Sequence, residues 1–239
     1  MPETTPVGEP DHRWGLGAFL LVEGVLLLSA VFLSAILAPA GATVGVPELL
    51  VGTIVPTTLA AGTAVLITVL RGNGPAIDLR LAIRLGDLKT GLRLGLWGIL
   101  ITVVGAFVWT RIVGADDATS AISSLIDNGR MPIAAALVMF VYVWLVGPVC
   151  EEIIFRGLLW GAIERQRWGR WAPFALSTGI FAASHLEPMR TSLLLVIALP
   201  IGLARLRTGR LPASMIAHQL NNFLPALAML LVSVGAMTN

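Results

Sequence analysis

Long apolar runs separated by short polar segments dominate the chain. A helix that crosses a bilayer needs about 20 mostly apolar residues, and seven runs come close to or exceed that length. By residue number these runs are 15–37, 48–70, 91–113, 132–150 with an extension to 163, 171–187, 191–206 and 211–237. The pattern predicts an all-α fold, a polytopic membrane helical bundle of about seven transmembrane helices.

Composition supports the same class. Hydrophobic residues make up 56% of the chain, charged residues only 13%, and the mean hydropathy is +0.85. These values are typical of an integral membrane protein and leave no room for a separate soluble domain. We divide the 239 residues into an N-terminal tail (1–14), N-terminal membrane helices and loops (15–130) and a C-terminal membrane core (131–239). The single cysteine, Cys150, excludes an internal disulfide and a cysteine-rich metal site.

The basic residues predict the orientation in the membrane. With seven spans, the loops on one side hold 13 of the 16 Lys and Arg residues, and such loops face the cytoplasm. The N-terminus is therefore expected in the cytoplasm and the C-terminus outside. The arginines are scattered between apolar runs, so they predict no nucleic-acid partner. Segment 71–88 is expected either along the membrane surface or as a solvated loop, and segment 114–130 as a plain external connection.

A pair of acidic residues lies deep in the fourth run. Glu152 and Arg156 are four residues apart, in the order that favours an ion pair on one face of a helix. Glu151 points about 100° away and has no cation on its own helix, so it needs a partner from elsewhere. Pro148 frees a backbone carbonyl one turn earlier and favours a kink that admits water. We expect one continuous or kinked helix over about 132–163, because only then does Glu151 reach the depth of the later histidines.

Two further polar pairs follow in later runs. Phe181 and His185 are four apart, as are His218 and Asn222, so each pair shares a helix face. Glu151 with His185 could activate a water molecule, and His218 with Asn222 could stabilise an oxyanion. Glu151, His185 and His218 are also a known ligand set for a catalytic divalent metal such as zinc. The sequence leaves the metal-bound and the metal-free reading open.

The three motifs in this order resemble the CPBP family, the CAAX prenyl protease and bacteriocin-processing intramembrane proteases that are also called the abortive-infection family. The resemblance covers about residues 130–237. It implies a peptidase of metallo- or glutamate type with its site in the bundle core, in which Glu151, His185, His218 and Asn222 are catalytic. Glu152 and Arg156 would be supporting, and Phe181 opens the second motif. It also implies a membrane-associated peptide or protein substrate, lipidated in the CAAX-processing members, and assigns no oligomeric state.

Two other functions compete with proteolysis. A membrane immunity or scaffold protein would keep the fold and bind a peptide without cleaving it. A small transporter would use buried acids as a proton relay, in which Glu151 would act together with Glu23 of the first run. A thiol protease built on Cys150 lacks a partner on its helix face.

Overall fold

The computed structural model describes residues 12–37, 44–114 and 131–236, and across these ranges the chain is helical, with short turns and no strand. The helices are α1 (Leu16–Leu37), α2 (Val46–Arg71), α3 (Leu85–Val113), α4 (Ile133–Glu164), α5 (Trp171–Ser184), α6 (Thr191–Thr208) and α7 (Leu211–Ser233), and one further helical turn covers Pro75–Asp78. The predicted all-α class is confirmed. Most of the predicted N-terminal tail and of the 114–130 connection lies outside the described residues.

Six of the described helices are long and apolar enough to cross a membrane: α1, α2, α3, α4, α6 and α7. The chain is therefore an integral membrane protein, close to the seven spans expected. The remaining predicted span, 171–187, corresponds to α5, which has 14 residues and is about 21 Å long. That is shorter than the roughly 30 Å hydrocarbon core of a bilayer.

Small residues bring α3 and α7 together. Gly91, Gly95 and Gly98 lie on one side of α3, and a side chain added at any of them would press on α7. A Cβ atom at Gly95, for example, would lie 2.7 Å from Leu220. Helices in a bilayer associate through such close backbone contacts, because lipid gives no hydrophobic force between them. The contact places α7, with His218, in the centre of the bundle.

One end of the bundle carries a network of polar contacts, and we call it the basic face. Here Arg80 pairs with Glu164 at 2.8 Å and Arg210 pairs with Asp87 at 2.9 Å. Trp14 Nε1 also donates to Asp78 at 2.9 Å. These contacts place the start of α1, the α2–α3 linker, the end of α4 and the α6–α7 turn at the same end of the molecule. The distribution of basic residues in the sequence predicts that these segments lie on one side of the membrane.

The linker between α2 and α3 is neither a plain solvated loop nor a helix lying free on the membrane. Leu79 is completely buried, and a Cβ atom at Gly157 of α4 would lie 2.9 Å from its side chain. Asp78 is also buried, where it accepts hydrogen bonds from Trp14 and from Asn73. The linker is thus packed onto the basic face. The alternation of apolar and charged residues in segment 71–88 did not predict this packing.

Helix α4 is continuous over 32 residues, as expected for about 132–163. Two of its stretches, Tyr142–Val146 and Glu152–Leu159, are wider π-helical turns. The first stretch is followed by Gly147, whose N–H donates to Tyr142 O. Pro148 is the next residue. Proline clashes with the carbonyl four residues earlier, and a π turn relieves this clash. The predicted distortion at Pro148 is therefore a widened turn inside an unbroken helix.

Candidate active site

Glu152 lies at the centre of the site and is completely buried. Its Oε1 is 3.0 Å from Nδ1 of His218 and 3.2 Å from Nη1 of Arg156. A carboxylate only accepts, so Nδ1 of His218 carries the proton and its Nε2 faces away from Glu152. The predicted Glu152–Arg156 ion pair is present. Glu152 has a second role that spacing did not predict, because it orients the imidazole of His218.

Glu151 faces the other nitrogen of the same histidine. Its Oε2 is 3.5 Å from Nε2 of His218, and its side chain is 27% exposed. This distance is too long for a good hydrogen bond, so the carboxylate is close to the imidazole but remains available to another molecule. Glu151 therefore has its partner on another helix, as the sequence predicts.

His185 and Glu151 line one cavity of about 250 Å³. His185 directly follows the last residue of α5, and its Nδ1 is 2.8 Å from the carbonyl oxygen of Phe181. Because a carbonyl only accepts, Nδ1 donates and Nε2 is the nitrogen left for other contacts. The rest of the cavity wall comes from α1, α2, α4 and the residues on either side of His185, and it is largely apolar. The cavity thus combines a carboxylate, an imidazole and a hydrophobic wall.

Phe181 connects the parts of the site. Its ring lies edge-on to His185 and His218, with centroids 4.8 Å and 5.6 Å away. The guanidinium carbon of Arg156 is 4.3 Å from the centre of the same ring. The nitrogens of Arg156 make no hydrogen bond to another described residue, so the ring face and Glu152 together stabilise its charge. The sequence predicted Phe181 only as a motif residue, and its contact with all three groups is a finding of the structure.

Asn222 lies one turn after His218, and its Nδ2 donates to the carbonyl oxygen of Val143 at 3.2 Å. Gln219 on the same helix donates to Leu145 O at 3.3 Å. Both carbonyls belong to the widened turn at Tyr142–Val146, where the regular helical hydrogen bonds are interrupted. An amide nitrogen has two N–H groups, so Asn222 keeps one for another acceptor. The neighbouring Asn221 instead accepts a hydrogen bond from Thr102 of α3 at 2.6 Å.

The fit of the residues to a metal ion is partial. The 3.5 Å between Glu151 Oε2 and His218 Nε2 suits two ligands of a tetrahedral zinc ion, which bind at about 2.0–2.2 Å. Across the described ranges, however, no group of three or more His, Cys, Asp or Glu side chains is arranged to hold a metal. His185, the expected third ligand, does not complete the set. We therefore derive no catalytic step through a metal ion.

Glu23 of α1 is outside this constellation. One of its carboxylate oxygens is buried and has no hydrogen-bond partner among the described residues. It is not among the residues that line the cavity with Glu151, and no described ion pair or hydrogen bond joins the two acids. The geometry gives no support to a proton relay between them.

Two structural contributions to the site were not predicted from the sequence. The first is the cavity wall from α1 and α2, which includes Leu26, Leu27, Gly52 and Thr57. The second is Arg205 of α6, which is buried and donates from Nε to the carbonyl oxygen of Arg156 at 3.0 Å. Arg205 lies within an apolar run, which is a signal for a buried role. The count of basic residues in the loops nevertheless included it.

Comparison with known proteins supports the resemblance. Residues 133–224 match the family described as type II CAAX prenyl endopeptidase Rce1-like. The matched segment contains α4, α5, α6 and the first half of α7, and with them all the predicted catalytic residues. No curated protein and no solved structure matches the chain.

Proposed function

Because residues 133–224 match the family described as type II CAAX prenyl endopeptidase Rce1-like, we propose that the chain is an intramembrane endopeptidase that hydrolyses a peptide bond with water activated by Glu151. The observation that carries this proposal is the pairing of the two glutamates with opposite nitrogens of His218. One carboxylate is buried and orients the imidazole, while the other borders a cavity large enough for part of a substrate. This division of roles is typical of a general base supported by an oriented histidine.

The first step is the attack of water. A water molecule in the cavity donates a proton to Glu151, and its oxygen bonds to the carbonyl carbon of the substrate. Nε2 of His185, which is not engaged by Phe181, helps to hold this water. General-base catalysis of this kind contributes about 10²- to 10⁴-fold in rate.

The negative charge that develops on the carbonyl oxygen is stabilised by His218 and Asn222. The imidazole of His218 and the second N–H of Asn222 are the donors, and they come from one face of α7.

The last step breaks the peptide bond. The proton held by Glu151 passes to the leaving nitrogen, the C–N bond breaks, and the products are a carboxylic acid and an amine. Glu151 returns to its starting state, so no covalent intermediate and no second nucleophile is required.

The family match and the hydrophobic cavity wall support a membrane-associated peptide as substrate, with a lipid-modified CAAX peptide as the first to test. We also propose that the basic face lies at the cytoplasm, with the N-terminus on that side. The support is that the polar contacts join the segments in which the positive-inside rule places most basic residues. The end of α7 lies at the opposite end, where Met131 N–H donates to Ser233 O.

The experiment is cleavage of a reporter peptide by the purified protein in liposomes. A farnesylated CAAX peptide and the same peptide without its lipid are compared, with the wild type, Glu151→Ala and His218→Ala. We expect cleavage by the wild type and a loss of at least about 10²-fold in each variant. If all three proteins bind the peptide equally and none cleaves it, the rival scaffold function is correct.

A further inference from the structure

We propose that a groove between α3 and α6 binds an anionic phospholipid, with the phosphate at the basic face and an acyl chain along the helices. The groove has a volume of about 440 Å³ and is separate from the active-site cavity, since the two share no lining residue. This is within the range of about 300–1,000 Å³ that ligand sites occupy. A site for lipid here is independent of the proposed peptidase activity.

The walls of the groove are regular. Arg93, Trp97 and Ile101 follow one another at intervals of four on α3 and so form a stripe along one face. Leu203 and Arg207 form the facing stripe on α6. The arginine of each stripe is nearer the basic face than its apolar partners, because α3 begins there and α6 ends there. The groove is therefore basic at the end toward the headgroups and apolar toward the bilayer centre.

The two arginines have no acidic partner. Elsewhere on the basic face Arg80 and Arg210 form ion pairs, but Arg93 and Arg207 make neither an ion pair nor a hydrogen bond with any described residue. Both are exposed. Guanidinium groups bind phosphate through paired N–H donors, and basic pockets between membrane helices recognise anionic headgroups. The charge of the groove thus selects an anionic over a zwitterionic lipid.

The floor of the groove suits an acyl chain. Trp97 is 55% exposed and Leu199 is 42% exposed, so large apolar surfaces remain open beside the arginines. Phe174 of α5 closes the far side and is held against α6, where a Cβ atom at Gly202 would lie 3.1 Å from its ring. The floor is built from rigid helices, so it exists before a lipid binds.

The test measures fluorescence quenching of Trp97 by lipids with brominated acyl chains. The protein is placed in unlabelled phosphatidylcholine bilayers that contain the same low fraction of brominated phosphatidylglycerol or brominated phosphatidylcholine. The signal of Trp97 is the difference between the wild type and Trp97→Phe. We expect stronger quenching by the anionic lipid, and a reduction in its affinity of about fivefold per arginine removed, or roughly 25-fold for Arg93→Gln/Arg207→Gln.

The control variant is Arg71→Gln/Arg167→Gln, which removes two exposed arginines outside the groove and should leave quenching unchanged. Arg93→Lys/Arg207→Lys keeps both charges and should keep the preference for anionic lipid, which shows that loss in the Gln variant is not misfolding. Equal quenching by both lipids, or equal loss in the control variant, would overturn the proposal. So would competition by inorganic phosphate alone, since the site would then bind a free anion.

Discussion

The two adjacent glutamates should behave differently when each is changed to glutamine. Glu151→Gln removes a charge that is partly exposed and makes no close ion pair, since its nearest nitrogen partner is 3.5 Å away. Glu152→Gln removes the charge that faces both Arg156 and His218 from a completely buried position. We therefore expect Glu151→Gln to abolish activity without loss of stability, and Glu152→Gln to lose both.

The magnitudes follow from burial. Removing one partner of a buried ion pair costs about 3–5 kcal/mol, because the other charge is left uncompensated, and Arg156 has no other described anion at this distance. Glu151 is partly exposed and has no close ion pair, so Glu151→Gln should change the free energy of unfolding by no more than about 1 kcal/mol. In activity, Glu151→Gln should cost about 10²- to 10⁴-fold, the contribution of a general base.

The assay pairs denaturant unfolding in detergent micelles with peptide cleavage on the same preparations. Glu152→Gln/Arg156→Met serves as the control, because it replaces the ion pair with groups that need no charge partner. This double variant should recover much of the lost stability but not the activity, since a neutral amide at position 152 accepts a weaker hydrogen bond from His218 than the carboxylate does. Wild-type stability in Glu152→Gln, or wild-type cleavage by Glu151→Gln, would refute the assignment of roles.

Other variants and conditions test separate parts of the site. Gly52→Leu should block the cavity and reduce cleavage without destabilising the protein, whereas Gly62→Leu on the same helix should be neutral. A Cβ atom added at either position meets no other atom within 4 Å, and only Gly52 lines the cavity. Phe181→Ala should reduce unfolding free energy by about 3–5 kcal/mol and also lower activity, measured by the same two assays, and an effect on neither would show that the ring does not organise the site. Asn222→Ala should lower kcat by about 10²- to 10³-fold with little change in KM, and a change in KM alone would assign it to binding. Chelation with EDTA should leave the cleavage rate unchanged, because the described residues assemble two of three metal ligands; loss of activity that zinc restores would show a metal site.

Much of the architecture could be predicted from the sequence because membrane helices follow simple rules of length and hydropathy. The continuous helix around Glu151 followed from the depth that it must share with the later histidines, and its partner on another helix followed from the lack of a cation on its own helix. The short α5 was harder to predict, since the predicted span extends to residue 187, whereas the helix ends at Ser184.

The details of the site depend on contacts that spacing does not encode. Periodicity shows which residues share a face of one helix, so it found the Glu152–Arg156 pair. It does not show what a second helix presents, so the bond from His218 to Glu152 was not predicted. Asn222 donates to the carbonyl oxygen of Val143 because the π turn interrupts the regular helical hydrogen bonds there. That π turn is not visible in a residue pattern.

The proposed mechanism requires Glu151 to activate water directly for peptide hydrolysis. Mass spectrometry of the reaction in ¹⁸O-water tests this, with the wild type and Glu151→Gln incubated with the farnesylated peptide and quenched during turnover. We expect one ¹⁸O atom in the new carboxyl group of the wild-type product, an unmodified enzyme mass and almost no product from Glu151→Gln. Product formation by Glu151→Gln at the wild-type rate, or a peptide covalently attached to Cys150, would contradict it.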